Sequence, residues 1–121
     1  MKKFILIYSV LFLLSLSPVS ATQFFETLYD VPVMEGLQEI PEMALSFDLP
    51  DGRIAEAGAL ASNTPQKDIM AFYDVSLFQM GWEEKAANIY VREGEKLSIS
   101  YEKSGSSLIV TFRLRPAGNA E

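Results

Sequence analysis

The chain has 121 residues, 49% of them apolar, a formal net charge of −6, and neither histidine nor cysteine. Those absences remove disulfides, thiol nucleophiles, ordinary zinc sites and the commonest general base. The acidic balance argues against nonspecific binding to nucleic acid or anionic lipid, which needs clustered positive charge.

Lys2 and Lys3 precede an apolar run from Phe4 to Leu16, followed by Ser17, Pro18 and Val19-Ser20-Ala21. This is the layout of a secretory signal peptide, with cleavage expected after Ala21. The alternative is an uncleaved inner-membrane anchor, because Phe4 to Ala21 approaches the roughly 20 apolar residues that cross a bilayer. The uninterrupted run is shorter than a usual span, so cleavage is preferred and the mature chain is expected in the periplasm or secreted. No cysteine follows the run to be acylated, so no lipid tether is expected, and the membrane matters only during export. Residues 22–121 then form one ordinary domain without internal repeats, carrying 8 basic and 16 acidic groups. Its charge is two-ended: residues 22–84 hold 2 basic and 12 acidic groups, residues 85–115 hold 6 and 3.

Residues 22–42 form an apolar and acidic leading segment punctuated by Pro32 and Pro41. It has no sustained periodicity and is too apolar for a free tail. Either it folds back over the sheet's second face or an edge, or it offers Phe24, Phe25, Tyr29 and Met34 to a partner. Met43 to Leu49 and Arg53 to Ala61 follow as a hairpin around Pro50-Asp51-Gly52. The small residues Ala55, Ala57, Gly58, Ala59 and Ala61 would let a helix approach closely.

That helix is predicted to start near Pro65, capped by Thr64, and to end at Gly81. Ile69, Phe72, Tyr73, Leu77 and Met80 recur every three or four residues and form its buried stripe. The period then changes to two. Ile89 and Val91, then Leu97, Ile99 and Tyr101, then Leu108, Val110, Phe112 and Leu114 mark the inward positions of a three-stranded meander. The whole reads as an α+β fold, β-β-α-β-β-β, with one amphipathic helix on an antiparallel sheet of about five strands over residues 43–116. Residues 117–121 read as a disordered tail.

The stretch IMAFYDVSLFQMGWEEK, followed by IYVREGEKLSISYEK, resembles a recurrent module of small exported bacterial proteins of uncharacterised function. Its marks are a Phe-Tyr pair, a Leu four residues on, and Gly-Trp at the helix end. VPVMEGLQE, Val31 to Glu39, is similar to the Pro-rich segment that often precedes the first strand of that module. The resemblance covers most of residues 29–115; it implies the same fold and export, and it brings no catalytic residues.

Only carboxylate chemistry survives the composition. Glu83 with Glu84, Asp48 with Asp51, and Glu39 with Glu42 are the available pairs, and all fall at strand ends or in loops. Asp48, Asp51 and Glu56 lack the dense alternation of a calcium loop, and no glycine run cradles a phosphate. No catalytic residue, metal or cofactor is expected. Arg92, Arg113 and Arg115 oppose the expected inward residues and so form a candidate anion-binding set, with Glu26, Asp30, Glu35 and Glu39 as internal neutralisers. The function expected is that of an exported, non-catalytic binding or assembly module of the bacterial envelope, with an envelope protein as partner and no nucleic acid. An inhibitor of an envelope enzyme, presenting Arg92 to Lys96 as a loop, is the alternative, and a carboxylate-dependent hydrolase stands behind it.

Overall fold

A computed structural model describes residues 22–118 of the chain; the expected signal peptide, its cleavage point at Ala21 and the last three residues lie outside the described part. The helix, α1, runs Gln66–Gln79 and buries Ile69, Tyr73 and Leu77, with Phe72 and Met80 half-buried beside them. Its start differs from the expected one by a residue. Pro65 is extended, with ψ 148°, and is itself the cap, its carbonyl accepting from the Asp68 and Ile69 N–H groups at 3.0 and 3.2 Å. Thr64 makes no capping bond; its hydroxyl packs against Gly36 of the leading segment. The helix end is as expected. Gly81 takes φ +92°, the Trp82 N–H donates to the Leu77 carbonyl at 2.9 Å, and the Gly81 N–H donates to the Phe78 carbonyl at 3.1 Å. This bonding pattern brings the residue after the glycine back over the last turn, and Trp82 and Leu77 are both buried there.

The sheet is antiparallel throughout and has seven strands rather than five: β1 (Leu37–Glu39), β2 (Leu45–Leu49), β3 (Gly52–Ala61), β4 (Glu83–Ala86), β5 (Ile89–Arg92), β6 (Glu95–Ser104) and β7 (Ser107–Pro116). The two additions are β1 and β4. β1 is three residues within the leading segment, paired with the end of β3. β4 is Glu-Glu-Lys-Ala, wholly exposed, and forms because its backbone pairs with β5. Neither carries an apolar alternation. The spatial order is β1-β3-β7-β6-β5-β4, with β2 also on β3, so β1 and β2 share one side of β3 and a 3-10 turn at Pro41–Met43 separates them.

One face of the sheet carries the core. Ala55, Ala57, Ala59 and Ala61 of β3, Val110, Phe112 and Leu114 of β7, and Leu97 and Ile99 of β6 all point toward α1. On β5 the buried residue is Tyr90, so Ile89 and Val91 face outward, reversing the expected phase. A one-residue shift in a strand exchanges its faces, and here it carries Arg92 to the helix side. The leading segment lies over the same face as α1 instead of the opposite one. Phe25, Leu28 and Val31 are fully buried, and the Phe25 ring sits 4.7 Å from that of Phe112. The Tyr73 hydroxyl joins the two covering layers: it donates to the Pro32 carbonyl at 2.8 Å and accepts from the Met34 N–H at 3.2 Å. Burial raises the Tyr73 phenol above its ordinary value, against the lowering effect of the Met34 N–H. At the other end, the Ala117 N–H donates to the Gly94 carbonyl at 2.7 Å, so the chain is still held one residue past β7.

On the second face Met43 is seated on Gly58. A Cβ at position 58 would come within 3.0 Å of the Met43 Cβ and closer still to its sulfur. Gly58→Ala is expected to destabilise by about 1–3 kcal/mol through overpacking, and Met43→Ala in that background to restore part of the loss, both read from denaturant melts. Phe25→Ala should cost about 3–5 kcal/mol, as buried aromatic truncations do; an unchanged melting midpoint would mean that the leading segment is dispensable to the core.

Candidate functional site

The four leading-segment residues expected to meet a partner separate into two pairs. Phe25 is 1% exposed beside Phe112 and so is not free to anchor a partner, while Met34 is half-buried against the same core. Phe24 and Tyr29 remain 45% and 68% exposed. Tyr29 lies over the Arg53 guanidinium at 4.9 Å.

Arg92 also leaves the anion-binding set. From the end of β5 it ion-pairs with Asp30, donates to the Met80 carbonyl at 3.0 Å, and lies 4.4 Å over the Trp82 ring. Arg53 donates to Glu95 at 3.1 Å and approaches Asp30 at 3.9 Å. Arg92, Asp30, Arg53 and Glu95 thus make a charge-balanced row, each side chain about one-fifth exposed. Such a row ties the leading segment to the helix end and offers no free cation. The groove beside it, about 960 Å³ and lined by Met80, Gly81, Lys85, Arg92, Glu93 and Gly94 among others, is open and of mixed charge. Arg92 to Lys96, weighed as an inhibitory loop, is a tight turn with Glu93 and Gly94 at φ 49° and 78°, pinned through Gly94 to Ala117.

Arg113 and Arg115 are where the alternation of β7 puts them, on the outer face. Arg113 donates to Glu56 of β3 at 3.2 Å. Arg115 is directly opposite Lys96 of β6, and among the described residues neither has an acidic partner. Like charges directly opposite one another in an antiparallel pair repel. Together with Ser98, Arg113 and Pro116 they line a shallow hollow of about 300 Å³. Lys96 was not singled out from the sequence, although it alternates with the inward Leu97; its pairing with Arg115 needs the register.

Beside this basic pair the outer face is apolar. In β2 every residue is exposed, with Leu45 at 38%, Phe47 at 56% and Leu49 at 38%. Their partners on β3 are Glu56, Ile54 and Gly52, which share that face. Arg115, one residue past the Ala55–Leu114 pair, is level with Ile54.

The carboxylates meet in a combination the sequence did not suggest. Glu84 of β4 comes beside Asp74 of α1, and Asp74 accepts a hydrogen bond from the Tyr90 hydroxyl. Tyr101 is close by, its phenol pushed up to about 12 by burial and then by the Asp74 charge. Desolvation, the Asp74 charge and a hydrogen bond shared with it raise the Glu84 carboxyl above its ordinary 4.5. No group of three or more acidic side chains among the described residues is arranged to hold a metal ion.

No protein-family model, curated protein or solved structure matches the chain.

Protonated Glu84 is favoured in the folded state, so its contribution to stability is complete below the ordinary carboxyl range and is lost as pH rises through the raised value. Glu84→Gln should therefore raise the melting temperature at pH 7 and change it less at pH 4. A variant that melts below the parent at pH 7 would contradict the repulsion from Asp74.

Proposed function

We propose that the chain is an exported, non-catalytic binding or assembly module of the bacterial envelope, and that it binds through the uncovered face of its sheet. The observation that carries this reading is the asymmetry of the two faces. One is closed by α1 and the leading segment over a continuous core, while the other presents Leu45, Phe47 and Leu49 beside the Lys96–Arg115 pair, which has no acidic partner among the described residues. Contiguous exposed apolar side chains next to like charge mark surfaces completed by a partner. An acidic partner would relieve the repulsion between Lys96 and Arg115 and cover the apolar strand in one contact.

Export is supported by the basic, apolar and small-residue layout of residues 2–21. Among the described residues no helix is long and apolar enough to cross a membrane. The absence of histidine and cysteine favours binding over catalysis. The turn at Glu93-Gly94 is too short and too well held to favour the inhibitor alternative.

The test is a pull-down from envelope extract with residues 22–121, run beside Lys96→Gln/Arg115→Gln. An acidic envelope protein retained by the parent and lost from the double variant is expected. Retention by both alike, or by neither, would remove the outer face as the binding surface.

A further inference from the structure

Resting on that reading of the outer face, we propose that the edge strand β2 pairs with β2 of a second copy of the chain, antiparallel and about a two-fold axis at Phe47. The argument begins with which backbone groups are free. The Ile40 N–H donates to the Gly58 carbonyl, so even-numbered residues of β3 turn their backbone groups toward β1 and β2. The partners of Glu56, Ile54 and Gly52 are Leu45, Phe47 and Leu49, which are therefore the hydrogen-bonded positions of the hairpin. Ser46 and Asp48 then point their N–H and C=O groups outward, where no described strand meets them.

The sequence Leu45-Ser46-Phe47-Asp48-Leu49 is self-complementary about its centre. Reversed against itself, it places Leu45 opposite the partner's Leu49, Phe47 opposite the partner's Phe47, and Ser46 opposite the partner's Asp48. The two Ser46–Asp48 pairs supply the outward N–H and C=O groups, giving four backbone hydrogen bonds. Phe47 falls at the non-hydrogen-bonded pair, where Cα atoms approach to about 4.5 Å and side chains are closest. All six apolar side chains lie on the outer face. On the inner face each hydroxyl meets the partner's carboxylate, so the only charge in the strand avoids its own copy.

Charge and backbone chemistry select this register. Moved two residues one way, Asp48 opposes the partner's Asp48 and Ser46 meets the partner's Pro50, which has no N–H to give. Moved the other way, Leu49 passes beyond the end of the partner's strand, which begins at Leu45. A one-residue shift would match inner with outer positions. A two-fold axis closes the contact, so pairing stops at two copies. The two Lys96–Arg115 pairs are then brought onto one continuous face, flanking a shared apolar centre of Phe47 and Ile54.

Five residues a side is small beside the ~1,200 Å² or more of stable interfaces, so the dimer is concentration-dependent. Sedimentation velocity of residues 22–121 from about 1 to about 300 µM should show the mass rising from one chain to two, the range a small interface populates. Ser46→Pro deletes an N–H that the fold itself does not use, and should abolish the shift while leaving thermal melting unchanged. Because the chain has no cysteine, Phe47→Cys introduces a single thiol at the axis. Under mild oxidation it should form a disulfide-linked dimer several-fold faster than Ala86→Cys on the far edge. A chain that stays monomeric throughout, or cysteines that link at equal rates, would overturn the proposal, and the cysteine comparison decides the matter if Ser46→Pro fails to fold. Loss of an envelope partner from Ser46→Pro while the parent stays monomeric would assign β2 to a foreign strand and likewise overturn it. A monomer that still captures an acidic partner through Lys96 and Arg115 refutes the β2 pairing alone; a dimer without that capture refutes the acidic-partner reading alone.

Discussion

Phe112 is the side chain on which the two covering layers converge. Its ring is 4.7 Å from Phe25 of the leading segment and 5.0 Å from Tyr73 of the helix, and it is fully buried. The segment and the helix do not form one continuous element, yet each needs the other to exclude water from this ring. Their own joint is the Tyr73 hydroxyl, placed between the Pro32 carbonyl and the Met34 N–H. An apolar segment that would be an aggregation hazard when loose becomes a structural layer because one aromatic on β7 offers it a place to bury.

Arg92 does a parallel task in charge. It meets the carbonyl end of α1 at Met80, the face of Trp82 and the carboxylate of Asp30, so one cation closes the helix dipole and holds the leading segment. The consequence is a division of the arginines. Those on the helix side are consumed by Asp30 and Glu95, and Glu56 takes Arg113. Among the described residues Arg115 is the one arginine without an acidic partner, and it lies opposite Lys96, which likewise has none, on the outer face.

The helix, the hairpin at Pro50-Asp51-Gly52 and the long meander strands were legible in the sequence because each repeats an apolar pattern over several residues. β4 was not, because Glu-Glu-Lys-Ala has no apolar face; only the backbone of β5 makes it a strand. β5 was read one residue out of phase, since Ile89 and Val91 are apolar and a phenol such as Tyr90 can sit on either side; its hydroxyl satisfies itself on Asp74, which turns the strand over. That single misphasing moved Arg92 from the outer face to the core side. The apolar content of the leading segment favours folding back, but the face it covers depends on Phe112 and Tyr73, which lie far away in sequence. The outer-face site was half legible: Arg113 and Arg115 follow from the alternation of β7, while their neighbour Lys96 and the exposed Phe47 require the pairing of strands.

β7 lies between β3 and β6 and pairs with both, although it is made after every other strand. Before it emerges, β3 with its edge strands and the β4–β6 group are two fragments with no shared ladder, and the ring that both covering layers need is missing. Early collapse has nothing to close upon. Such a chain stays open until its last described strand has been made, and it becomes a compact body only once that strand inserts between the two fragments and brings Phe112 to both covering layers.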